Sequence, residues 1–205
     1  MKTSFKSKKP NGFTLVELLV VIAIIAALAS MAFPAIQGVI RNAKVTESNK
    51  VANDIVISIE AFENDYGYLP YEGSPPSTDQ RYVTDNADLL NVLMGLEDDV
   101  NTNEKEYFTA DQAKNGLNGL TFSGDDVVSL VDSFGNPFEV LIDYDLDKKL
   151  EPGTDINAKL LEDLPSGENP TVRSKSSIVA SPGANEDGWT TSSDDWKSSW
   201  AVRSW

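Results

Sequence analysis

The side chains able to do chemistry in this 205-residue chain are almost all oxygen acids and amides. There is no cysteine and no histidine, which removes disulfides, thiol nucleophiles, imidazole-based triads and most zinc or haem sites. Asp and Glu number 32 against 17 Lys and Arg, a net charge of −15 that would repel a phosphate backbone, so no nucleic-acid partner is expected. Any metal must take oxygen ligands, which favours calcium or magnesium. Two acidic stretches meet that requirement. Asp143, Asp145 and Asp147 have the D-x-D-x-D spacing that starts a calcium loop. However, Lys148 stands where an EF-hand needs glycine for its sharp turn, and no Glu stands at the twelfth position. A solvated strand end with one acidic face is the competing reading. The second stretch, residues 181–200, combines Asn, Glu and Asp with three of the four tryptophans, the fourth being Trp205. Adjacent Asp194 and Asp195 repel each other unless something neutralises them. A hard cation gathering six to eight oxygens at roughly 2.3–2.6 Å would do so, and a solvated acidic loop is the alternative. An enzyme is not expected, because paired carboxylates need a cleft and a small acidic domain offers little room for one.

One further acid, Glu17, sits at the start of an apolar run, and that run organises the rest. Residues 1–12 carry Lys2, Lys6, Lys8 and Lys9 and no acid. Between Leu18 and Ile36 only Ser30 interrupts as a polar side chain, so this segment is long enough to cross a bilayer as a helix. Lysines before the span and none within it place the N-terminus in the cytoplasm and the remainder outside it. A secretory signal cut near Ala26–Ala29 and a plain membrane anchor are the bland alternatives. Neither explains an ionisable residue at a costly place in lipid.

The string Gly12-Phe13-Thr14-Leu15-Val16-Glu17 resembles the type IV prepilin signal, in which the peptidase cuts before the apolar run. The resemblance implies cleavage between Gly12 and Phe13, N-methylation of Phe13, and a role for Glu17 in assembly, where it meets the α-amino group of a neighbouring subunit. Two charges that are each expensive in hydrocarbon become tolerable when paired. Losing residues 1–12 removes four lysines and no acid, taking the net charge from −15 to −19.

Helical periodicity continues past the membrane segment. Val51, Ala52, Ile55, Val56, Ile59, Phe62 and Tyr66 recur at spacings of three and four, while Asn53, Asp54, Ser58, Glu60 and Glu63 are assigned to the other side. Gly67 suits a left-handed C-cap after Tyr66. A helix from Phe13 to Tyr66 would be roughly 80 Å long, and Pro34 with Gly38 is expected to weaken or kink it. Residues 87–96 read as a short amphipathic helix and residues 101–124 as acidic connection. Val127–Val131 and the alternating Phe138, Val140, Ile142 and Tyr144 read as strands around the turn Asp132-Ser133-Phe134-Gly135-Asn136-Pro137. They are expected to form a hairpin against the long helix, with the second strand half-buried and a third strand around Ser177–Ala180.

The turn is similar to one in the major pseudopilin of the type II secretion system, and the C-terminal acidic stretch resembles that family's calcium loop. The resemblance implies a structural calcium with Asp187, Asp194, Asp195 and Asn185 as ligands, although Trp196 and Trp200 depart from the family pattern. The expected fold is α+β: a long N-terminal helix, membrane-spanning in its first half, packed on a small antiparallel sheet with a C-terminal loop region. The expected organisation is a leader 1–12, a transmembrane and assembly segment 13–40, an amphipathic half 41–66 and an extracytoplasmic domain 67–205. The function implied is a filament subunit of a type II secretion pseudopilus, located at a bacterial inner membrane. Expected partners are further copies of itself, the prepilin peptidase, other pseudopilins and the inner-membrane secretion platform. A type IV pilus pilin or minor pilin, and a membrane-anchored calcium- or carbohydrate-binding domain, are the alternatives.

Overall fold

The computed structural model describes residues 13–147, 176–183 and 202–203. The chain divides at Ile40/Arg41 into two compact units. Its first element, α1, is one α-helix over Leu15–Tyr66. The helix runs without interruption through positions 34 and 38.

In the first unit the large apolar side chains from Leu15 to Ile40 are exposed, with Leu15 81% and Met31 78% accessible. Among the described residues of this unit nothing covers them, and the run is long and apolar enough to cross a membrane. Its hydroxyl is satisfied internally, because Ser30 Oγ donates to the Ala27 carbonyl at 2.7 Å.

In the second unit the helix shows the expected stripe. Ala52, Ile55, Val56, Ile59 and Phe62 are wholly buried, each large side chain being worth about 1.5–3 kcal/mol of transfer. Ser58 departs from expectation. It lies three residues after Ile55 and four before Phe62, hence on the buried face, and its hydroxyl bonds the Asp54 and Tyr107 carbonyls. The helix ends at Tyr66 with Gly67 at φ +76°, whose N–H reaches the Glu63 carbonyl at 2.8 Å. The short helix α2, Asp88–Met94, presents Leu89, Leu90, Val92 and Leu93 to the same core and is closed by Gly95 in the left-handed conformation.

Two antiparallel sheets complete the unit, consistent with the α+β expectation. Strands β1 (Gln80–Val83), β4 (Glu139–Ile142), β5 (Ser177–Ser181) and β6 (Val202–Arg203) form one sheet in the order β1-β4-β5-β6. Strands β2 (Gly119–Ser123) and β3 (Asp126–Val131) form the other. The third strand around Ser177 is where the sequence placed it. The hairpin is not. β3 pairs with β2, whereas β4 pairs with β1 and β5.

Thr84 supplies the physical reason. The turn closes with a single bridge between Val131 and Pro137, and the next hairpin rung would join Leu130 to Phe138. Thr84 occupies that place. Its carbonyl accepts the Leu130 N–H at 2.8 Å and its N–H donates to the Phe138 carbonyl at 2.9 Å. Its hydroxyl donates to the Leu130 carbonyl at 2.6 Å and accepts the Phe138 N–H at 2.8 Å. The two strands are thereby separated and turned into different sheets. A second correction follows for β4. As a central strand it is buried on both faces, with Val140 and Ile142 in the core. Leu141 is also buried, paired with Ile178, and Glu139 forms a two-bond ion pair with Arg81 at 2.9 Å.

Candidate functional site

The residues flanking the expected cleavage position come first. Gly12 lies outside the described residues, and Phe13 is non-helical with a side chain 76% exposed. Thr14 and Glu17 form a reciprocal cap at the start of α1. Glu17 Oε2 accepts from the Thr14 N–H and from its hydroxyl, both at 2.8 Å, while the Thr14 hydroxyl accepts the Glu17 N–H at 3.2 Å. This is a capping box, which satisfies helix donors that otherwise have no partner. The sequence reading singled out Glu17 for its charge and missed Thr14, although the T-x-x-E spacing before an apolar run is itself the signal.

A second polar centre lies in the turn between β3 and β4. Asp132 is wholly buried. Its Oδ1 accepts the Phe134 and Asn136 N–H groups at 2.8 and 2.9 Å, and its Oδ2 accepts the Ser181 hydroxyl at 2.6 Å. Burial pushes this carboxyl above the usual Asp range, with the hydrogen bonds from Ser181 and the turn amides opposing the shift. The turn is tied to α1 through Ser133, whose N–H bonds Ser48 Oγ at 2.9 Å and whose hydroxyl bonds Glu47 at 3.2 Å. It is tied to the end of β5 through Asn136 Nδ2, which donates to the Gly183 carbonyl at 2.7 Å. The resemblance pointed to this turn, and the structure shows what it does: it clamps the chain at Ser181–Gly183, where the C-terminal acidic stretch begins.

The proposed calcium ligands Asn185, Asp187, Asp194 and Asp195 lie outside the described residues. Their donor set, one amide and three carboxylates, is all oxygen and fits a hard cation. The D-x-D-x-D run is only partly brought together. Carboxylate oxygens of Asp143 and Asp145 lie within 4.8 Å of each other and of Asp79, a residue the sequence gave no reason to include. Asp143 is buried at the end of β4 and Asp145 is exposed, where it accepts the Asp147 N–H at 3.1 Å. Near the C-terminal end of α1, exposed Asp65 bonds Lys105 and the Tyr107 hydroxyl, which hold its carboxyl below the usual range. Burial in turn raises the Tyr107 phenol.

Comparisons with known proteins agree with the N-terminal geometry. Residues 7–33 match the prokaryotic N-terminal methylation motif. A fimbrial protein of Moraxella nonliquefaciens is 50% identical over 49 residues, 24% of this chain and 32% of that protein. Prepilin peptidase-dependent protein D of Escherichia coli (strain K12) is 36% identical over 81 residues, 37% of this chain and 56% of that protein. The fimbrial protein EcpC of Eikenella corrodens is 35% identical over 64 residues, 31% and 42% of the two chains. The chain thus spans between a third and a little over half the length of these relatives. No solved structure matches it significantly. The methylation motif, these relatives and a long N-terminal helix on small antiparallel sheets mark a type IV pilin-like protein.

Proposed function

We propose that this type IV pilin-like chain is a filament subunit, made as a membrane-inserted precursor, cut between Gly12 and Phe13, methylated on Phe13 and polymerised through α1. The observation that carries the proposal is the pairing of the methylation motif at residues 7–33 with a helix whose large apolar side chains between Leu15 and Ile40 are exposed. Such a surface exceeds what an isolated soluble protein leaves in water. The bilayer covers it before assembly and neighbouring helices cover it afterwards. Glu17 then sets register by pairing with the new α-ammonium of the adjacent subunit. The four lysines before the apolar run support the reading that the subunit sits in a bacterial inner membrane with residues 41–205 extracytoplasmic.

Within this class the pseudopilus of type II secretion is our reading. It rests on the turn at Asp132–Phe138 and on the oxygen-rich stretch that the turn anchors at Ser181 and Gly183. Asn185, Asp187, Asp194 and Asp195 would hold calcium, whose charge would neutralise the adjacent carboxylates and order the loop. A type IV pilus pilin is the second reading, favoured by the fimbrial names of two relatives. Mass spectrometry of the chain co-expressed with a prepilin peptidase tests the shared step, and an uncut N-terminus refutes it. Deleting the gene and assaying export of folded proteins against surface pili separates the two readings: lost export with normal pili supports the pseudopilus, and the reverse refutes it.

A further inference from the structure

We infer that the end of the second unit carrying Arg41, Lys44, Lys114 and Phe134 docks on anionic phospholipid headgroups at the outer surface of the membrane. The inference rests on the membrane insertion proposed above. Between residues 41 and 147 the chain has six Lys and Arg against 22 Asp and Glu, so where those six stand is informative. Arg81 is committed to Glu139 and Lys105 to Asp65. Arg41, Lys44 and Lys50 instead occupy the first turns of the unit, beginning at the residue that follows Ile40.

Folding brings two loops to the same level of the helix. The turn between β3 and β4 is fixed there by the Ser133 N–H, which donates to Ser48 Oγ at 2.9 Å. The Phe134 ring lies under the Lys44 ammonium, with Nζ 5.3 Å from the ring centroid. Against this turn packs the loop that carries Lys114. The Asn118 N–H donates to the Asp132 carbonyl at 2.8 Å, and a Cβ added to Gly135 would sit 3.2 Å from Leu117 Cδ2. Arg41 and Lys114 are exposed, while Lys44 and Phe134 are half-buried. Glu47, the acid among residues 41–50, accepts from the Asn118 amide at 2.8 Å and the Ser133 hydroxyl at 3.2 Å.

Depth selects the occupant. Arg41 to Lys44 rises about 5 Å along the helix, and a headgroup layer is about 5–7 Å deep. A helix leaving hydrocarbon at Ile40 therefore carries these cations into the layer of phosphates, and Phe134 with them. Long basic side chains at this depth lay their stems on the apolar side and their charge on the phosphate side. Charge bias gives a second reason. Basic residues on the outer flank oppose the orientation that Lys2, Lys6, Lys8 and Lys9 favour, so their presence there needs an offsetting contact. Anionic lipid supplies it. Another copy of this acidic chain also offers carboxylates, but the bilayer already surrounds a lone precursor.

The test uses the full-length chain, one copy per lipid nanodisc, in phosphatidylcholine alone or mixed with phosphatidylglycerol. Because the sequence has no cysteine, Gln112→Cys accepts a single fluorophore two residues from Lys114. Thr102→Cys is the control, in the loop that Tyr66 bonds at the far end of α1, roughly 33 Å beyond Lys44. Nitroxide carried on the headgroups should quench the Gln112→Cys probe when phosphatidylglycerol is present and spare the Thr102→Cys probe. Arg41→Gln, Lys44→Gln and Lys114→Gln should each lower the ratio of quenched to unquenched chains about 5-fold, the worth of one basic residue at an anionic surface. Lys44→Arg should keep the ratio. Quenching that is equal with and without phosphatidylglycerol, or unchanged in those three variants, overturns the inference while the membrane reading stands. A chain that does not enter the nanodisc at all overturns the membrane reading and this inference with it.

Discussion

Replacing Thr84 by valine should destabilise the unit formed by residues 41–205 by about 2–6 kcal/mol, the sum for two buried backbone groups at roughly 1–3 kcal/mol each. Valine keeps the volume of threonine but neither gives nor takes a hydrogen bond. Thr84 is 2% exposed, and its hydroxyl both donates to the Leu130 carbonyl and accepts the Phe138 N–H. Both partners lose that contact in the variant, in a place that water does not reach. The backbone bonds of Thr84 to Leu130 and Phe138 persist and keep the segment in position, so the lower half of the range is expected. Serine is the control. It retains the hydroxyl and loses one methyl group, which costs about 0.5–1.5 kcal/mol in comparable core truncations. Urea denaturation of residues 41–205, read by tryptophan fluorescence and by circular dichroism, gives both values from midpoint and slope. If valine proves as stable as serine, the hydroxyl does not separate β3 from β4 and the account of the two sheets fails.

Asp132→Asn should shift the pH dependence of the same unit. Because burial raises the native carboxyl, the folded state binds its proton more tightly than the unfolded one. The site's contribution is therefore greatest below the unfolded pKa of about 3.9 and declines as pH rises through the native value. The stability of the variant relative to wild type should then increase between roughly pH 4 and pH 7, and a difference that stays flat with pH refutes the assignment. Calcium at 100-fold above Kd should raise stability by about 2.7 kcal/mol, roughly 5–11 °C in Tm. Asp194→Ala or Asp195→Ala should abolish this rise and magnesium should not reproduce it; the absence of a calcium-specific shift refutes the metal proposal. Glu17→Gln retains an oxygen to cap Thr14 and should be cleaved normally, yet it should yield few filaments by electron microscopy because the charge pair is gone. Filaments at the wild-type level would refute the register role.

Much of this protein was legible without coordinates, because the relevant signals are local. The apolar run from Leu18 to Ile36, the three-and-four stripe ending at Phe62, the glycine after Tyr66 and the prepilin-like string around Phe13 each need only a few neighbouring residues to be read. The strands at Val127–Val131 and Phe138–Ile142 were also visible, since alternation is a property of one segment. The edge strand Gln80–Val83 was not, because its four residues lack a distinctive pattern, and Gly119–Ser123 was hidden in a polar connection.

Partnership is what the chain order misrepresented. Two strands joined by a six-residue turn look like a hairpin, and only a threonine more than forty residues upstream, inserted between them, sends each to a different sheet. The same holds for Asp132, whose place in the turn was read but whose grip on Ser181 was not, and for Asp79, which joins Asp143 and Asp145 from another strand end. The sequence by itself determined the apolar segment long enough to cross a membrane, the helix, its buried face and the methylation motif, since propensity and periodicity act over a few residues. Tertiary structure alone decided strand pairing and which polar groups meet, because a buried donor or acceptor takes whichever partner the folded chain brings within about 3 Å, however far away in sequence that partner lies.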